Sequence, residues 1–139
     1  GVPGSGAAGA FGAGILAFLK GKLCPGIEAV LDLVKFDEKL TDCDLVLTGE
    51  GRFDSQSIRG KVISGVARRA KGRVPVIAIV GGIADDAVPA YGLGVDAMFS
   101  IDRAALPFPE SAPRSAADYR ATLRDVLRVW QLGRDGHSH

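Results

Sequence analysis

Apolar residues along this chain alternate between helical and strand-like spacing. From Ala7 onward small residues are followed by Phe11, Ile15, Leu16, Phe18 and Leu19 at spacings of three and four. That spacing predicts a helix with one small-residue face, ended by Lys20 to Lys22. Ile27, Val30, Leu31 and Val34 predict a short amphipathic helix opened by Pro25, and Phe36 to Leu40 a further turn. The period then changes. Asp44 to Gly49 is a short apolar run bounded by Asp and Gly, the mark of a buried parallel strand. A helix is expected from Lys61 to Lys71, with Val62, Val66, Ala67 and Ala70 inward. Pro75 to Gly82 is the clearest strand. Ala84 to Tyr91 reads as a short helix with Asp85 as a cap and Pro89 as a candidate break, and Val95 to Ile101 as a third strand. Leu106 to Pro113 carries three prolines and is expected to be loop. Ser115 to Leu132 is the strongest helical pattern, with Ala116, Tyr119, Leu123, Val126, Leu127 and Trp130 on one face.

Strands alternating with helices at this spacing predict an α/β fold of three layers, a mostly parallel sheet with helices on both faces. The expected organisation is a single α/β segment over residues 1–132 and a disordered tail over 133–139. In such sheets ligands sit at the carboxyl ends of the strands, which directs attention to the connections after Thr48, Val80 and Ile101.

Composition narrows the classes of function. The 139 residues are 47% hydrophobic and 24% charged, enough for a core and a wet surface. The net charge of +1 gives no field for nucleic acid or an anionic membrane. No apolar run reaches the ~18 residues of a membrane span. Cys24 and Cys43 stand apart and read as buried thiols of a reducing, cytoplasmic compartment. The chain opens inside a glycine-rich stretch without Met, which suggests a portion of a longer polypeptide.

The chemistry concentrates between Thr48 and Lys61. Gly49 and Gly51 free the backbone to turn. Gly60 and Lys61 stand at the next helix start, where unpaired N–H groups favour anions. Glu50 and Asp54 add carboxylates among the cations Arg52, Arg59 and Lys61. Such mixed charge suits a site that handles both phosphate and metal. A charged glycine-rich connection is commonly a solvated turn; its position after a buried strand favours a site here. It is not a Walker A motif, because Ser55 occupies the first glycine position and Val62 follows Lys61. Gly4, Ser5, Gly6 and Gly9 satisfy Gly-x-Gly-x-x-Gly, but no strand precedes them, and close helix packing explains them equally well. Gly81 and Gly82 with Asp85 and Asp86 form a second candidate rim.

Taken in order, Gly4 to Gly12, Pro25 to Asp32, Asp44 to Ser57 with Gly60-Lys61, and Val74 to Gly82 resemble segments of the bacterial glycerate kinase family. The Thr-Gly-Glu-Gly-Arg-x-Asp stretch starting at Thr48 is the specific part. The resemblance covers residues 1 to about 130 and corresponds to the C-terminal portion of longer proteins. It implies an ATP- and Mg²⁺-dependent kinase acting on D-glycerate in a cleft between two α/β domains, closer to the enzymes that form 2-phosphoglycerate. On that reading Asp54, Glu50, Arg52 and Lys61 are the expected catalytic residues. Gly4, Ser5, Gly6, Thr48, Gly49, Gly51 and Gly60 are expected to contact substrate or phosphate, and Glu50 or Asp54 to hold Mg²⁺. The expected partners are glycerate, ATP, the remaining N-terminal portion of the same enzyme and a second copy in a homo-oligomer. A phosphate- or nucleotide-binding module without turnover, and a structural portion inactive alone, stay open as alternatives.

Overall fold

The structure is a computed structural model that describes residues 24–54 and 61–136. The helix expected over residues 7–19 lies outside them. Gly26–Leu33 forms helix α1, Phe36–Lys39 the short α2, and a 3-10 turn follows over Leu40–Asp42. Pro25 stands at the cap position of α1, where its missing N–H costs nothing. Strand β1 is Val46–Thr48 and the two-residue β2 is Arg52–Phe53. Helix α3 covers Val62–Ala70, β3 Val76–Val80 and β4 Gly82–Ile83. A 3-10 turn, Asp85–Ala87, precedes α4, Ala90–Leu93, and β5 is Ala97–Ser100. The chain ends in α5, Phe108–Ser111, a 3-10 turn over Ala112–Arg114, and the long α6, Ser115–Asp135.

The main sheet has the order β1-β3-β5, all parallel, with Val46 opposite Val76 and Ile77 opposite Ala97. All five residues of central β3 are buried, because both faces of the strand are covered. Ala78 and Val80 pack with Ile63, Ala67 and Ala90 of α3 and α4. Val76 joins Leu31, Val66 and Ala70 on the same side. Ile77 and Ile79 point the other way, onto Val126 of α6. These are the three layers expected from the alternation of strands and helices.

Five local expectations are corrected. Residues 84–91 divide at Pro89 into a 3-10 turn and a short helix, and Asp85 opens the turn rather than capping it, the cap being Ala84. Val62 is exposed and Ile63 takes the core position in α3. Residues 106–113 are not all loop, since Pro107 and Pro109 occupy the cap and first turn of α5, where proline is tolerated. Cys24 is exposed and Cys43 half-buried. Helix α6 also runs to Asp135, past the expected end at Leu132.

An ion-pair network fixes α1 and α2 to α3. Arg69 reaches Glu28 at 2.7 Å, Asp32 at 2.6 Å and Asp37 at 2.7 Å, and Arg73 holds the other Asp37 oxygen at 2.8 Å. The hydrogen bond from Arg69, joined by that from Arg73, lowers the Asp37 carboxyl below the usual carboxylate range. A lowered folded-state pKa stabilises the fold above the unfolded value, near pH 4, and that contribution disappears as pH falls through the folded value. Thermal midpoints measured from pH 7 down to pH 2 should therefore fall more steeply below pH 4 in the wild type than in Asp37→Asn.

Candidate active site

The connections after β1 and β3 are zipped together. The Gly81 N–H donates to the Glu50 carbonyl at 3.0 Å, the Gly82 N–H to the Gly51 carbonyl at 3.1 Å, and the Ala84 N–H to the Phe53 carbonyl at 2.9 Å. The result is the parallel pair β2-β4, with Arg52 opposite Gly82 and Phe53 opposite Ile83. Close approach of backbones explains the glycines. A Cβ on Gly49 would collide with the Ile79 carbonyl, and one on Gly81 with the Gly51 carbonyl. Side chains on a strand alternate, so the pair also sorts charge from core. Phe53 is fully buried among Ile63, Ala78, Val80 and Ala87, while Arg52 is exposed.

The connection after β5 joins the same wall. The Ser100 hydroxyl donates to the Gly81 carbonyl at 3.2 Å and accepts from the Asp102 N–H at 3.0 Å. Arg103 then ties this turn to α6 by pairing with Asp125 at 2.9 Å. That hydrogen bond holds the Asp125 carboxyl below its ordinary range.

Between these turns and the start of α6 lies a cleft of about 510 Å³. It is lined by Gly51, Arg52 and Gly81 to Ile83 from the connections after β1 and β3, by Ile101, Asp102 and Leu106 from the connection after β5, and by Phe108, Ser111, Ser115 and Asp118 from α5 and α6. All three connections singled out by the strand-end rule thus contribute to one cavity. Asp118 is largely buried, its side chain 13% exposed, and takes a 3.2 Å contact from Arg114 one turn away.

Of the expected site residues, Gly51 and Arg52 line the cleft. Thr48 ends β1 and is half-buried, Gly49 packs against β3, and Glu50 and Asp54 are half-buried on either side of the Gly51 to Phe53 stretch. Lys61 is the exposed cap residue of α3, and its carbonyl accepts from the Ser64 hydroxyl at 2.9 Å. None of these five lines the cavity. Gly4, Ser5, Gly6, Arg59 and Gly60 lie outside the described residues. Among the described residues no three His, Cys, Asp or Glu side chains gather as a metal set. No helix among them is long and apolar enough to cross a membrane.

Sequence reasoning did not single out Asp102, Ser111, Ser115 or Asp118. Asp102 was within reach, since it follows β5 directly at the carboxyl edge. Ser111 belongs to a stretch read for its prolines, and Ser115 and Asp118 to a helix read for its apolar face.

Comparison with known proteins finds relatives over nearly the whole chain. The chain is 40% identical to glycerate kinase of Bacillus cereus over 98% of its own length and 36% of that protein's. It is 52% identical to glycerate 2-kinase of Escherichia coli over 72% of its length and 26% of the relative's. A crystal structure of the protein assigned as glycerate kinase 2 in Salmonella typhimurium LT2 superposes with a TM-score of 0.72 at 39% identity, covering 95% of this chain and 34% of that one. The chain thus spans between about a quarter and about a third of the length of these relatives. Residues 1–131 match the profile of the glycerate kinase family, and the chain belongs to that family.

Proposed function

We propose that the cleft below β2-β4 is one wall of a kinase site that transfers the terminal phosphoryl group of ATP to D-glycerate, giving phosphoglycerate, the 2-phosphate by the nearer likeness. The observation that carries this reading is the convergence of three strand-end connections on one cavity, with Arg52 held at its rim by a buried neighbour. Phosphoryl transfer asks mainly for positioning and neutralisation of charge. The Arg52 fork suits two oxygens of a carboxylate or phosphate, and Lys61 a single phosphate charge. Asp54 or Glu50 takes the proton of the glycerate hydroxyl as its oxygen bonds to phosphorus. The bond to the bridging oxygen breaks and ADP departs. Backbone at Thr48, Gly49, Gly51 and Gly60, with Gly4, Ser5 and Gly6, contacts substrate or phosphate.

Mg²⁺ fits this donor set. It is commonly held by one or two carboxylates together with substrate phosphates, so a group of three acids is not required. Glu50 or Asp54, on either side of Arg52, is the candidate ligand; when bound, the ion neutralises phosphate charge. On this reading the remaining N-terminal portion of the same enzyme completes the site around the cleft. This reading also puts the enzyme in the cytoplasm and allows a homo-oligomer.

Coverage of only a third of the relatives favours a second reading for the chain by itself: a portion that binds weakly because half its cleft is absent. One assay addresses both. ADP release and ³¹P spectra should show glycerate-dependent ATP turnover by the full-length protein and little by residues 1–139 alone. A full-length protein that hydrolyses no ATP in the presence of glycerate would refute the kinase reading.

A further inference from the structure

We propose that the α5–α6 side of the cleft is the nucleoside subsite, stacking the base of ATP on Phe108 and taking ribose hydroxyls on Asp102 and Asp118, with the phosphates directed toward Arg52. This rests on the kinase reading above and assigns a substrate to one side of the same cavity.

Size and lining argue first. Glycerate is a three-carbon anion, polar at every carbon, and an apolar wall offers it nothing. The cleft holds about 510 Å³, in the range of drug-sized ligands, and includes Ile83, Ile101, Leu106 and Phe108. A purine ring uses such a surface; glycerate does not.

Phe108 argues second. It is 81% exposed at the cavity lip, so its ring has almost no packing within the described chain. Aromatic rings facing a cleft are stacking platforms, and every base presents a π-face to them.

Charge argues third. Asp102 and Asp118 would repel a carboxylate or phosphate placed against them. Carboxylates accept hydrogen bonds from hydroxyls, and an acid on ribose is a recurrent solution in nucleotide sites. The contact from Arg114 occupies one of about four acceptor positions on Asp118. Arg52, on β2, lines the same cleft. One cleft therefore carries an aromatic ring, two carboxylates and a guanidinium, the three kinds of group that suit the base, ribose and phosphates of a nucleotide.

The test is titration of a non-hydrolysable ATP analogue into full-length wild-type protein and into Phe108→Ala and Phe108→Trp. An exposed ring can be truncated without touching the core. Phe108→Ala should weaken the dissociation constant at least about fivefold, the low end of a base–aromatic stack. Phe108→Trp should retain the wild-type value, and KM for glycerate should stay unchanged in both. In the wild type, 2′- and 3′-deoxy forms of the analogue should bind less well than the parent, and this discrimination should shrink in Asp118→Asn. Unchanged analogue affinity in Phe108→Ala would overturn the proposal, as would a raised KM for glycerate alone. Analogue binding that depends on Phe108 in a protein without glycerate turnover would keep the subsite and discard the kinase reading. Normal turnover with Phe108-independent binding would do the reverse.

Discussion

Arg52→Ala in the full-length enzyme should lower kcat/KM for glycerate phosphorylation by about 10²–10³, the loss expected when one pre-placed donor to a developing charge is removed. Arg52 is exposed at the cleft rim, so its thermal midpoint should move little, within about 0.5 kcal/mol of stability. Arg52→Lys should recover charge but not the planar fork, leaving activity well short of wild type. Steady-state kinetics beside thermal melts separate the two effects. Wild-type kcat/KM in Arg52→Ala would remove this residue from the mechanism.

Phe53→Ala should act in the opposite sense, on stability before activity. Phe53 has no exposed surface and fills the space between α3, β3 and the Ala87 turn. Deleting a buried ring costs about 3–5 kcal/mol, a large share of the 5–15 kcal/mol that holds a typical domain folded. The cavity would open directly under the two residues that join β2 to β4, so loss of the pair should accompany loss of stability. Phe53→Leu, which keeps most of the volume, should cost less than about 1.5 kcal/mol. Denaturant midpoints measure both, and equal midpoints for Phe53→Ala and wild type would contradict the account of how the rim is anchored.

These neighbours show what could be read before the fold was seen. β3 and α3 were legible because burial on both faces of a strand, or one face of a helix, leaves a long apolar signal. β2 and β4 were not, because two residues carry no period; the pair is created by tertiary proximity of two strand ends. α5 was hidden by its prolines, which serve a helix start as well as a loop. In α6 the expected face was partly wrong in its first turns. Thr122 and Val126 are buried, Asp118 nearly so, while Tyr119 is 43% exposed. Asp118 lines the cleft and Thr122 lies against Arg103 of the turn after β5, so the inward positions of these turns are polar and an apolar pattern points elsewhere. The Gly49 to Lys61 stretch was recognisable by composition and motif, yet among the described residues expected there only Gly51 and Arg52 line the cavity. Alternation along β2 decides which side chains face it, and composition carries no record of that.

On the kinase reading, glycerate and ATP meet in the cleft bounded by β2-β4 and the start of α6. The most direct measurement is a crystal structure of the full-length protein with D-glycerate, a non-hydrolysable ATP analogue and Mg²⁺. The account predicts ligand density against Gly51, Arg52 and Gly82, with phosphate or carboxylate oxygens within hydrogen-bond reach of the Arg52 guanidinium. Both ligands bound elsewhere, with this cleft filled by solvent or by another segment of the polypeptide, would contradict it.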